Sequence, residues 1–163
     1  MMRQTLRPTE KVQVRHVGIL ELDDFYRWMK RWLKFKGYWQ GEGCETEYAE
    51  EVVGPGVKHI RLKLNTWKNP TPYVKVTIKI DYIHIAVTNE KIEVEGKQIK
   101  VFKGDFDFRF ALTIERTGEV PPFWRRVYDW VVNKHEIDHI IQEAYDDFYE
   151  LTNQSKEICN QYA

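Results

Sequence analysis

The segment His135-Glu136-Ile137-Asp138-His139 holds the residue types best suited to chemistry. On a helix, positions four apart share a face, so His135 and His139 can reach one Zn²⁺. Glu136 would then act as general base on the metal-bound water, which is the chemistry of zinc-dependent hydrolysis. Such a site needs a third protein ligand. Glu143 continues the row, but it lies about 12 Å along the axis from His135 at ~1.5 Å per residue, too far to share one ion. Asp146, Asp147, Glu150 and Glu157 are the remaining carboxylates downstream. The helix wheel sets both histidines away from the stripe of Ile137, Ile141 and Phe148. The simpler reading is therefore two solvent-facing histidines on an acidic helix.

A second candidate is basic. Arg27, Lys30, Arg31 and Lys34 recur at helical spacing, opposite an apolar face of Phe25, Met29, Trp32 and Leu33. Such a stripe suits phosphates, an anionic membrane surface or an acidic partner. It is equally the solvated face of an amphipathic helix, or a face paired to the acidic C-terminal helix. Trp28, Phe35, Tyr38 and Trp39 cluster beside it. Aromatics next to cations can stack nucleobases, but they more often complete a core.

The aromatic content is a third candidate. Phe106, Phe108, Phe110, Trp124 and Trp130, with Trp32 and Trp67, have the character of an apolar ligand pocket or of a packed interior. Periodicity does not separate the two. Asp81, Tyr82 and His84 could do acid–base work if brought together, though a hydrogen-bonded strand histidine is the plainer reading. The sequence has no P-loop, no dinucleotide-binding glycine pattern and no serine or cysteine nucleophile signature.

These residues must be held by one domain of 163 residues. Apolar residues make up 42%, enough for a core without disulfide or metal staples. The 25 Lys/Arg balance 25 Asp/Glu, unlike a general nucleic-acid binder. The balance hides segregation: residues 1–40 carry nine Lys/Arg against four Asp/Glu, and residues 120–163 carry four against eight. The two ends can attract each other within one fold or face different partners. Cys44 and Cys159 show no disulfide or zinc spacing. With no signal-like segment and no membrane-length apolar run, the expected setting is cytoplasmic.

Along the chain, residues 1–10 read as a flexible segment, residues 11–155 as a single α+β domain, and residues 156–163 as a tail. Lys11–Val17 suggests a short first strand. A helix follows, with Asp23 as N-cap and Gly37 as a left-handed C-cap. Residues 38–53 read as one irregular strand, closed by a turn at Gly54-Pro55-Gly56. Ile60, Leu62 and Leu64 alternate, until Asn69-Pro70-Thr71-Pro72 breaks the strand. Val74, Val76, Ile78 and Ile80 alternate next, then apolar parity moves to Ile83, Ile85 and Val87, which predicts a β-bulge. Ile92 and Val94 face Ile99 and Val101 across Glu95-Gly96-Lys97 as a hairpin. Gly104 opens a strand with Phe106, Phe108, Phe110, Leu112 and Ile114 on one face, ending at Thr117-Gly118. Pro121-Pro122 starts a helical region with a stripe of Phe123, Val127 and Trp130. A kink or break is expected near Asn133-Lys134, and Ile137, Ile141, Ala144, Phe148 and Leu151 continue the stripe.

The fold class is thus α+β: an antiparallel meander of five to six strands between an N-terminal amphipathic helix and a long C-terminal helix. This order resembles the helix-grip fold of START-like lipid-binding and cyclase proteins. That resemblance implies a sheet wrapped around the C-terminal helix with a cavity between them. Here one helix stands where that family has a pair. The segments Trp28–Tyr38, Lys103–Gly118 and Phe123–Trp130 resemble small archaeal proteins of unknown function, which implies no catalytic residues. His135, Glu136 and His139 resemble the zincin motif, although Asp138 occupies a normally uncharged position and no metzincin glycine and third histidine follow.

The expectation is a non-enzymatic binding or interaction protein without a cofactor. Its ligand would be a small apolar molecule or an acidic protein partner. Zinc hydrolysis and nucleic-acid association are the alternatives.

Overall fold

The computed structural model describes residues 4–5, 7–71, 74–116 and 134–160. Trp124, Trp130, the Pro121-Pro122 helix start and the expected kink at Asn133 fall outside them, as do the side chains of His84, His135 and Glu136. The chain is an α+β fold, with one antiparallel sheet and two α-helices among the described residues.

Six strands build the sheet: β1 (Gln4–Thr5), β2 (Glu10–Leu20), β3 (Glu45–Gly54), β4 (Val57–Thr71), β5 (Val74–Val94) and β6 (Lys97–Arg116). Sheet order is β6-β5-β4-β3, with β1 and β2 both pairing antiparallel to β6. The helices are α1 (Leu22–Lys36) and α2 (Lys134–Asn160), and a 3₁₀ turn, Glu42–Cys44, precedes β3.

Alternation decides which face is dry. Leu62 and Leu64 of β4 are buried, as are Val74 to Tyr82 by twos on β5 and Phe106 to Ile114 by twos on β6. Register lines them up: Val14 opposes Phe108, Phe108 opposes Tyr82, and Tyr82 opposes Leu62. One apolar row therefore crosses four strands. Both helices cover this face, with Phe25, Met29, Trp32 and Leu33 of α1 and Ile141, Ala144, Phe148 and Leu151 of α2 joining one cluster. The opposite face carries charged pairs such as Arg15 with Asp105 at 2.8 Å, as expected for an antiparallel sheet solvated on one side. The acidic edge strand β3 exposes Glu45, Glu47 and Glu51, charges that discourage edge-to-edge pairing.

Several local expectations need correction. The first strand is longer than Lys11–Val17, because β6 pairs with it through Leu20. The N-cap of α1 is Glu21 without a side-chain cap, which leaves Asp23 and Asp24 inside the first turn. Two acids there still favour the positive end of the helix dipole. The irregular segment at 38–53 resolves into the 3₁₀ turn and β3. β4 does not stop at Asn69: Lys68 pairs with Val76 and Thr71 with Val74, so Asn69-Pro70 bulges opposite Lys75. A bulge tolerates proline's missing N–H.

The parity change on β5 is real but sits later than Ile83. Ile85 pairs with Asp105 and Thr88 with Lys103, so Ala86 and Val87 together oppose Gly104. Tyr82 keeps the inward face, fully buried, and Val87 takes it after the bulge. The hairpin turn is Glu95-Gly96 alone, with φ of 51° and 79°. Two consecutive positive φ values match the twist of the flanking strands. Gly104 does not start a strand but lies within the 20-residue β6.

Candidate functional site

On the outer face of α1, charged side chains converge on a groove. Its lining is the N-cap Glu21, then Asp24, Phe25, Arg27, Trp28, Lys30, Arg31 and Lys34 of α1, with Ile158 of α2, around a volume of ≈ 690 Å³. All four basic residues singled out by helical spacing therefore face one concavity. Arg27 pairs weakly with Asp24 at 3.7 Å, and Lys30 stands 5.1 Å over the Trp39 ring. Arg31 and Lys34 are exposed and form no ion pair among the described residues.

The aromatic cluster beside the stripe splits in two. Tyr38 is buried, and Trp28 and Trp39 lean on the core. Phe35 is 84% exposed. It lies four residues past Arg31 and three past Trp32, at the edge of the core face, with the Lys36 ammonium 5.8 Å over its ring.

What fixes this face is the other end of α1. Gly37 adopts φ 86°, and Tyr38 N donates to Leu33 O at 2.8 Å, a Schellman-type stop. The stop turns the Tyr38 ring parallel to Trp32, with 6.2 Å between centroids. Tyr38 Oη donates to Asp147 Oδ2 of α2 at 3.3 Å. Lys36 reaches Asp147 at 3.5 Å and Glu150 at 3.3 Å, and Lys68 of β4 reaches Asp147 at 3.4 Å. One buried carboxylate thus ties α1, β4 and α2 together, and the attraction between the basic and acidic ends is exercised inside the fold. Burial alone would lower the Lys36 pKa, but Asp147 and Glu150 outweigh it and the net shift is upward. Burial, reinforced by Asp147, raises the Tyr38 phenol far above its ordinary value.

Phe106, Phe108 and Phe110 are each at most 1% exposed. Phe108 lies 4.7 Å from Phe25 and 5.1 Å from Tyr82. Phe108 thus stands against α1, and none of the three phenylalanines lines the groove. His139 is exposed, as its wheel position requires. Among the described residues no three His, Cys, Asp or Glu side chains are arranged to hold a metal ion. Cys44 and Cys159 are free and buried, and burial pushes the Cys159 thiol up to about 11. A thiol held protonated at neutral pH is a poor nucleophile.

Sequence reasoning found the four cations but missed Ile158, Glu21 and Asp24 as groove partners, and it missed Asp147 as the tether. Ile158 depends on how α1 and α2 cross, whereas Glu21 and Asp24 stand within two turns before Arg27 at the start of α1. Asp147 was visible only as one of several acids on a helix. Among the described residues, no helix is long and apolar enough to cross a membrane. The chain matches no protein-family model, and no curated protein sequence matches it significantly.

Proposed function

We propose that the protein is a non-enzymatic binding protein that holds an anionic partner on the outer face of α1. The observation carrying this reading is the convergence of Arg27, Lys30, Arg31 and Lys34 on one groove, with Arg31 and Lys34 left without an ion pair among the described residues. Unpaired exposed cations on a rigid helix attract an anion without first breaking an internal contact. The Phe106/Phe108/Phe110 core and the Asp147 tether supply the rigidity. The setting we assign is the reducing cytoplasm, a reading supported by two unbridged buried cysteines.

The test is a panel of three anionic probes: phosphatidylserine-containing vesicles, a labelled oligoglutamate peptide and a labelled single-stranded oligonucleotide. The wild-type chain is expected to bind at least one, more weakly as salt rises. The charge-reversed variant Arg31→Glu/Lys34→Glu is expected to lose that binding while remaining folded. Its thermal midpoint should fall by only a few degrees, because the carboxylate introduced at Lys34 meets the negative end of the helix dipole. Absence of binding to all three probes at low salt would sink the reading.

A further inference from the structure

We propose that the partner of this face is an anionic bilayer surface, on which α1 lies with Phe35 entering the headgroup layer. The inference rests on the reading of α1 as an anion-binding face and deepens it. Lys30, Arg31, Lys34 and Phe35 fall within six consecutive positions of α1, and Phe35 is 84% exposed. The helix already buries an apolar face of Phe25, Met29, Trp32 and Leu33 in the core. Among the described residues Phe35 stays outside the core, with the Lys36 ammonium 5.8 Å over its ring, so core packing does not account for an apolar ring this exposed. An anionic bilayer supplies both complements at once: phosphates or carboxylates at the level of the cations, and an apolar layer just beneath for the ring.

The acidic residues point the same way. Glu21 and Asp24 line the N-terminal end of the groove, while the cations extend to Lys34. At that end Arg27 is already engaged by Asp24 at 3.7 Å, so the open positive charge runs from Lys30 to Lys34, in the C-terminal half of α1. With three cations and one ring, attachment is weak and reversible, because stable anchoring requires a stronger second signal.

Co-sedimentation of the full chain with phosphatidylcholine vesicles, with and without phosphatidylserine, decides the matter. The expected result is partition onto the phosphatidylserine-containing vesicles only. It should fall roughly tenfold or more in Arg31→Glu/Lys34→Glu, which reverses two surface cations. It should fall several-fold in Phe35→Ala, whose thermal melt stays that of wild type because the ring is outside the core. Equal binding to both vesicle types, or binding unchanged in these variants, overturns the proposal. If vesicles are ignored but oligoglutamate or the oligonucleotide is held through Arg31 and Lys34, the bilayer assignment fails while the anion-binding face stands. If none of the probes binds, both fall together.

Discussion

Replacing Asp147 by alanine removes the one carboxylate shared by α1, β4 and α2. Asp147 is 5% exposed and accepts from Tyr38 at 3.3 Å, Lys68 at 3.4 Å and Lys36 at 3.5 Å. The loss is uneven among the three. Tyr38 is fully buried, so its hydroxyl is left without that acceptor, at a cost of about 1–3 kcal/mol. Lys36 keeps Glu150 at 3.3 Å, and both lysine side chains are 21–26% exposed and stay partly hydrated. Each broken pair then adds roughly 0.5 kcal/mol, well below the value for a fully buried pair. The expected total is about 2–4 kcal/mol, large for one substitution. Urea unfolding followed by tryptophan fluorescence measures it, since Trp32 stacks on Tyr38. Asp147→Asn retains an acceptor for Tyr38 and should cost about half as much. A cycle with Tyr38→Phe should show coupling of ~1 kcal/mol or more. An Asp147→Ala loss below about 1 kcal/mol, or a Tyr38–Asp147 coupling near zero, would refute the tether and with it the argument for a rigid α1.

Three further outcomes follow from the same contacts. Gly37→Ala should cost about 1–2 kcal/mol in chemical denaturation, because φ of 86° strains any Cβ although nothing within 4 Å would collide with it. Phe108→Ala should cost about 3–5 kcal/mol by the same measurement, since it removes the ring on which Phe25 and Tyr82 pack. The Tyr38, Tyr82 and Lys36 pKa values are all raised in the folded state. A raised folded value means the native state holds its proton more tightly. Stability from these groups is whole below the ordinary values of 10.0 and 10.5 and falls as pH climbs beyond them. Thermal melts should therefore drop steeply above about pH 10, and the drop should lessen in Tyr38→Phe.

How legible this architecture was depends on the kind of signal each element carries. β6 declares itself because Phe106, Phe108, Phe110, Leu112 and Ile114 alternate without interruption and are all buried. α1 is equally plain, since its core face and its basic face each keep helical spacing. The bulge on β5 was misplaced because Tyr82 reads as half-polar in sequence, yet burial of its whole ring keeps the inward parity through that position. Asn69-Pro70 read as a break because proline usually ends a strand, but pairing of Thr71 with Val74 carries β4 past it. The candidate face was half legible. Arg27, Lys30, Arg31 and Lys34 follow from period alone. The exposure of Phe35 was not legible, because it stands four residues past Arg31 and three past Trp32, on the border of the two faces, and its neighbours Trp28, Tyr38 and Trp39 suggest a buried cluster. Ile158 and Asp147 approach α1 only through the packing of α2, more than a hundred residues away in sequence, and no local pattern encodes that.

The account turns on α1 presenting its outer face as the contact surface. Amide chemical-shift mapping of the full chain, titrated with phosphatidylserine-containing vesicles and then with oligoglutamate, observes that face directly. The predicted result is salt-sensitive change confined to the amides of α1 and its groove partner Ile158, strongest from Lys30 to Phe35. Changes centred on β6 around Phe106 to Phe110, with α1 silent, would contradict the account.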